Sequence, residues 1–139
     1  MTPQRVTLIT LGVNDLDTSK AFYEKLGWTP AQEQENVAFY QMNGMALGLF
    51  PTVELAKDQN RSETSLGTGA ITLAQNFASE AEVDEAFTKA IEAGAKELKK
   101  PEKVFWGGYS GYYADIDGHV WEVAHNPFWE LGEDGSLTL

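Results

Sequence analysis

One carboxylate dominates the chemistry open to this chain. In Val120-Trp121-Glu122-Val123-Ala124, strand alternation puts Glu122 on the same side as Val120 and Ala124. A carboxyl among apolar neighbours resists ionisation, so Glu122 is a candidate general acid or base; it is equally a group that bonds a ligand amine or a neighbouring tyrosine. The same alternation from Tyr109 to Asp115 turns Ser110 and Tyr112 to one side, where hydroxyls orient a ligand in a mostly apolar pocket or simply bond within the sheet. His119 and His125 fall on the side opposite Glu122 and read as turn or rim residues.

Composition removes other chemistries. The chain has no cysteine, hence no thiolate metal site, disulfide or cysteine nucleophile. A net charge of −11, with lysines and arginines scattered, argues against nucleic acid and anionic membranes as partners; it serves solubility or favours cationic and neutral ligands. No segment approaches the roughly 20 apolar residues of a membrane span, and Met1 to Val13 lacks an export pattern, so a cytoplasmic location is expected. Phe105-Trp106-Gly107-Gly108-Tyr109-Ser110-Gly111 precedes a strand rather than a helix. It is therefore an aromatic lip contributed by Trp106 and Tyr109, or a loop tryptophan covering a sheet end, and not a phosphate loop.

Those residues need strands to hold them. Arg5 to Val13 alternates and is followed by a helix around Thr18 to Leu26, which Gly27 stops. Three strands follow, Trp28 to Gln34, Val37 to Met42 and Met45 to Phe50, with Asn43-Gly44 as the hairpin turn. Residues 53–67 form a polar connector with room for a short helix. A second set opens with Ala70 to Asn76. Ser79-Glu80-Ala81-Glu82 then matches a capping box, Val83, Ala86, Phe87, Ala90 and Ile91 make one apolar stripe, and Gly94 ends the helix. The strands Ala95 to Lys99, Tyr109 to Asp115 and His119 to Ala124 complete it. Strand, helix and three strands thus occur twice, and Leu8-Ile9-Thr10-Leu11 aligns by letters with Ala70-Ile71-Thr72-Leu73. Residues 1–139 are read as one α+β domain: module one at about 4–52, module two at about 68–125, and a tail at 126–139.

Alternation also sorts the strand faces. Ile9, Leu11, Leu47, Leu49, Ile71, Leu73, Trp121 and Val123 are expected beneath the helices. The other face carries small residues, including Thr10, Gly48, Ala70, Thr72 and Ala74, beside Ser110, Tyr112 and Glu122. Interiors tolerate few large voids, so this face holds a ligand or is filled by aromatics such as Trp28, Tyr40, Trp106, Tyr109 and Phe128.

Gly12-Val13-Asn14-Asp15-Leu16, Ala21-Phe22-Tyr23-Glu24-Lys25-Leu26-Gly27, Gly44 to Phe50, and Asp115-Ile116-Asp117-Gly118-His119-Val120-Trp121-Glu122-Val123 resemble the glyoxalase/bleomycin-resistance/dioxygenase superfamily, also called vicinal oxygen chelate proteins. The resemblance spans about residues 5 to 127 and implies two βαβββ modules in a mixed, curved sheet of half-barrels, helices on the convex side. In the superfamily's metal enzymes, His, Glu or Gln on the first and last strands of each module face the concave side and hold a divalent ion. Carried over, those positions are Leu8, Gly48, Ala70 and Glu122, and only the last can ligate. Stable sites need about three or four protein ligands, so neither a metal nor another cofactor is expected. Thr10, Ser110 and Tyr112 match substrate-contacting positions of the fosfomycin-modifying relatives.

The expected function is metal-free binding of a small molecule, similar to the bleomycin-resistance members, through Thr10, Gly48, Ala70, Thr72, Trp106, Tyr109, Ser110, Tyr112 and Glu122. The alternatives are a lyase, isomerase or dioxygenase-type enzyme in which Glu122 is the base and Tyr112 orients substrate, and a non-catalytic interaction module. Relatives are commonly homodimers, and the aromatics Phe128 and Trp129 of the tail suit docking to the body or to a second subunit.

Overall fold

A computed structural model describes residues 1–139. It divides into two compact units, Met1–Gly67 and Thr68–Leu139. Unit one runs β1 (Leu8–Val13), α1 (Leu16–Lys25), β2 (Gln32–Gln34), β3 (Val37–Gln41), β4 (Ala46–Pro51), α2 (Thr52–Asp58) and a single helical turn at Glu63–Ser65. Unit two runs β5 (Thr72–Asn76), α3 (Glu80–Glu92), β6 (Lys96–Lys103), β7 (Tyr109–Ala114) and β8 (Val120–His125). The sheets have matching orders, β1-β4-β3-β2 and β5-β8-β7-β6, and in each the first strand lies parallel to the last. The chain is α+β, built from two βαβββ modules of one topology.

Both main helices end alike. Gly27 (φ +94°) follows α1, and the amide of Trp28 donates to the Tyr23 carbonyl at 3.0 Å. Gly94 (φ +112°) follows α3, and the amide of Ala95 donates to the Ala90 carbonyl at 3.0 Å. A residue beyond the glycine bonding back to the last turn satisfies carbonyls the helix leaves open, and the left-handed backbone suits glycine. Ser79 caps the start of α3, its hydroxyl accepting from the Glu82 amide at 3.2 Å. Half of the expected box forms: the Glu82 carboxylate accepts from the Ser79 hydroxyl at 3.1 Å.

Each unit buries the strand face that meets its long helix. In unit one Leu11, Val13, Ala38, Tyr40, Leu47 and Leu49 are buried with Ser19, Phe22 and Tyr23 of α1. In unit two Tyr113, Trp121 and Val123 are buried with Val83, Phe87 and Ala90 of α3. Trp28 and Tyr40 belong to this packing: Trp28 stacks on Tyr23 at 5.2 Å and Tyr40 lies 6.0 Å from both. They therefore do not fill the opposite face, because the turn after Gly27 folds Trp28 back onto α1 and leaves only Gln32–Gln34 to pair as β2.

Two further boundaries, the start of β5 and the end of β6, differ from the sequence reading, while the connector carries the short helix it had room for. β5 starts at Thr72, whose partner is Val120, the first residue of β8; Ala70 and Ile71 precede the ladder and are exposed, with Ile71 outside the core. Part of the polar connector is helical, and a Cβ on Gly12 would lie 3.1 Å from Thr52 Oγ1 and 3.2 Å from Leu55 Cδ2, so α2 packs against β1. β6 continues through Pro101 to Lys103 because register shifts accommodate the proline, which an edge strand tolerates.

The buried phenols set an alkaline limit. Burial, then the charges of Glu33 and Glu24, pushes Tyr40 up to about 12, while burial and Asp115 push Tyr113 higher still. Folding therefore favours the neutral phenols; this contribution is complete below about pH 10, the unfolded value, and is lost as pH rises through the folded values. The melting temperature should fall across that window as tyrosinate absorbance grows. Tyr40 Oη is also buried without a hydrogen-bond partner, so Tyr40→Phe should leave neutral-pH stability unchanged or raise it by up to about 1 kcal/mol and flatten the alkaline decline, as thermal melts at stepped pH would report.

Candidate functional site

The face of the second sheet turned away from α3 has three ordered rows. Thr72, Val120 and Ala114 stand in register; so do Ala74, Glu122 and Tyr112, and then Asn76, Ala124 and Ser110. Ser110, Ala114 and Ala124 are buried, Val120, Glu122 and Tyr112 are half-buried, and Thr72 and Ala74 are exposed. Small side chains on β5 thus leave the middle row open from that edge. Partial burial, then the charge of Glu122 opposite it in register, raises the Tyr112 hydroxyl above its ordinary value, so the phenol keeps its proton beside the carboxylate. A carboxylate beside one phenol retains acceptor capacity for a ligand.

This arrangement unites Thr72, Ser110, Tyr112 and Glu122. It does not include Tyr109, which stands with Tyr113 on the opposite face, where its hydroxyl donates to Asp84 Oδ1 on α3 at 2.6 Å. That bond, with burial and the charges of Asp84 and Glu80, pushes Tyr109 up to about 12. Trp106 folds over Gly108, where a Cβ would come within 1.9 Å of its ring, and stays 38% exposed. His125 presents Nδ1 to the Phe77 carbonyl at 2.9 Å from the side opposite Glu122. The Asp115 carboxylate accepts from the amides of Asp117 and His119 at 2.9 Å each, shaping the turn that delivers β8.

In the first sheet, Thr10 pairs with Gly48 and Gly48 with Phe39. A Cβ on Gly48 would meet Phe39 Cδ1 and Cε1 at 3.2 Å and Leu8 Cδ1 at 3.6 Å. The Phe39 ring therefore covers the volume that a side chain at 48 would enter. Sequence reasoning passed over Phe39, although alternation along Val37-Ala38-Phe39-Tyr40-Gln41 puts it on the Gly48 face.

The sequence matches the Glyoxalase/Bleomycin resistance protein/Dioxygenase superfamily over residues 5–123. This chain belongs to that superfamily. Among solved structures, the superfamily fold recurs in a glyoxalase-related enzyme from Fulvimarina pelagi, with TM-score 0.92, 40% identity, and 99% of each chain covered. Lactoylglutathione lyase from Agrobacterium tumefaciens aligns at TM-score 0.71 and 23% identity, over 94% of this chain and 100% of that one. A glyoxalase/bleomycin resistance protein/dioxygenase from Nocardioides aligns at 0.74 and 22%, over 99% and 92%. The last two likenesses concern fold alone. No curated protein matches the sequence.

Strand equivalence within this superfamily member moves one of the expected metal corners. Asp15 and Ser79 both precede the helices, and Leu8 stands as far ahead of Asp15 as Thr72 ahead of Ser79; Gly48 and Glu122 are each third in their closing strands. By topology, Leu8 and Gly48 of unit one match Thr72 and Glu122 of unit two, so Thr72, rather than the Ala70 that the shared letters had suggested, is the counterpart of Leu8. Leucine and glycine offer no side-chain donor, and neutral threonine is not among the usual His, Cys or carboxylate ligands. No three of the chain's His, Asp or Glu side chains gather where they could hold an ion. The residues present do not fit the superfamily's metal centre. No helix is long and apolar enough to cross a membrane.

Proposed function

We propose that this superfamily member binds a small organic molecule on the sheet face around Glu122, Tyr112, Ser110 and Thr72, with no resident metal. The carrying observation is that Glu122 shares its face with Thr72, Ala74, Ser110 and Tyr112, none of them a usual metal ligand, while in unit one, taken by itself, Leu8 and Gly48 offer no donor and the Phe39 ring lies over Gly48. A lone carboxylate cannot hold a catalytic ion, whereas an open row with one acceptor and one phenol among small apolar side chains suits an orienting pocket.

Two measurements test the reading. Protein dialysed against Zn²⁺, Ni²⁺, Mn²⁺ and Fe²⁺ in turn should return substoichiometric metal and an unchanged melting temperature. A thermal-shift panel of aromatic and amphipathic compounds should yield stabilisers of several degrees, since a ligand at about 100 times its Kd adds about 2.7 kcal/mol. A stoichiometric ion that Glu122→Gln releases would overturn the proposal.

A second reading, an enzyme of lyase, isomerase or dioxygenase type with Glu122 as base, draws on the Glu122–Tyr112 pair. Once a turned-over compound is found, Glu122→Gln should cut its turnover by about 10²-fold or more while binding persists. Unchanged turnover ends that reading. A homodimer belongs to the proposal as well, supported by Phe128 and Trp129, 76% and 43% exposed; sedimentation measures it. So does a cytoplasmic setting, with which the lack of cysteine agrees.

A further inference from the structure

Glu122 is half-buried, and nothing basic is paired with it. The chain's side-chain ion pairs lie elsewhere: Lys20–Glu33, Lys57–Glu54, Lys99–Glu102 and Lys103–Glu80. Lys99, the register neighbour of Tyr112, directs its ammonium to Glu102 at 3.1 Å. Lys96, in register with Ala114, is the other cation of that face and stands on the edge strand. On β5, β7 and β8, the residues sharing the Glu122 face are otherwise uncharged: Thr72, Ala74, Asn76, Ser110, Tyr112, Ala114, Val120 and Ala124.

A carboxylate with no basic partner is incompletely compensated, and its field weakens less with distance in a half-buried setting than in water. It repels anions; a net charge of −11 reinforces this at long range. The adjoining Tyr112 ring adds an aromatic surface for a cation and its apolar body. Resting on the binding function proposed above, we infer that the ligand is a cation, an ammonium or amidinium joined to an apolar or aromatic body, and that Glu122 selects it.

Three probes with one ring system and different charge test this: naphthylmethylamine, naphthalenemethanol and naphthoate, titrated at neutral pH into the ¹⁵N-labelled full chain. The amides of Ala74, Tyr112 and Glu122 report binding. The ammonium should bind about tenfold or more tighter than the alcohol, with naphthoate weakest. In Glu122→Gln the ammonium should lose about tenfold or more and its preference over the alcohol should vanish; an unaltered amide spectrum away from residue 122 verifies the fold. If all three probes shift those amides with equal affinity, or if the ammonium preference survives Glu122→Gln, the charge selection is wrong while the binding function stands. If none shifts them, both fall.

Discussion

Gly111→Val is expected to strip β6 from the second sheet and lower the melting temperature by about 10 °C or more. A Cβ at position 111 would lie 2.7 Å from the Pro101 nitrogen and 2.9 Å from the Lys99 carbonyl oxygen. Both are backbone atoms, so relief requires moving the strand rather than turning a side chain. Overpacking costs about 1–3 kcal/mol when side chains can adjust, and a backbone clash exceeds that range. Because Ser110 and Tyr112 flank the site of strain, probe binding at Glu122 should weaken in the fraction that remains folded. Thermal melts read the first effect and amide shifts the second; a melting temperature within a degree or two of wild type would show that β6 yields freely.

Tyr23→Ala should cost unit one about 3–5 kcal/mol, the range for removing a large buried aromatic. Tyr23 is fully buried, contacts Phe22 edge-on at 4.9 Å, and stacks on Trp28 at 5.2 Å. The loss exceeds one cavity, since the Tyr23–Trp28 stack also packs the glycine-stopped end of α1. Chemical denaturation followed by tryptophan fluorescence checks the value, with Tyr23→Phe as the shape-preserving control. A cost below about 1 kcal/mol would mean that Phe22, Trp28 and Tyr40 close the gap unaided.

Local grammar made the modules legible. Gly27 and Gly94 terminate helices, Ser79 caps one, and Asn43-Gly44 turns a hairpin in which Gly44 alone takes a left-handed φ of +73°. Period-two alternation sufficed to put Ser110, Tyr112 and Glu122 on one face, since β7 and β8 pair without a shift. What could not be read depends on partners distant in sequence. The start of β5 is set by where β8 begins, so Leu8-Ile9-Thr10-Leu11 aligned by letters with a segment displaced from its structural equivalent. The strand expected to end at Lys99 runs on to Lys103, because register shifts carry β6 past Pro101. Alternation did put Tyr109 opposite Ser110, yet its place in a glycine-rich segment suggested a lip; the Asp84 hydroxyl bond fixes it on the helix side. Phe39 over Gly48 is a relation between strands that neither strand's sequence reveals.

Each sheet draws all its strands from one unit, with no strand exchanged between repeats. A duplicated half of this kind can diverge without dismantling its twin's ladder. The Phe39–Gly48 and Tyr112–Glu122 pairs, which occupy equivalent registers, display such independence: one copy carries hydrocarbon there and the other an acid and a phenol.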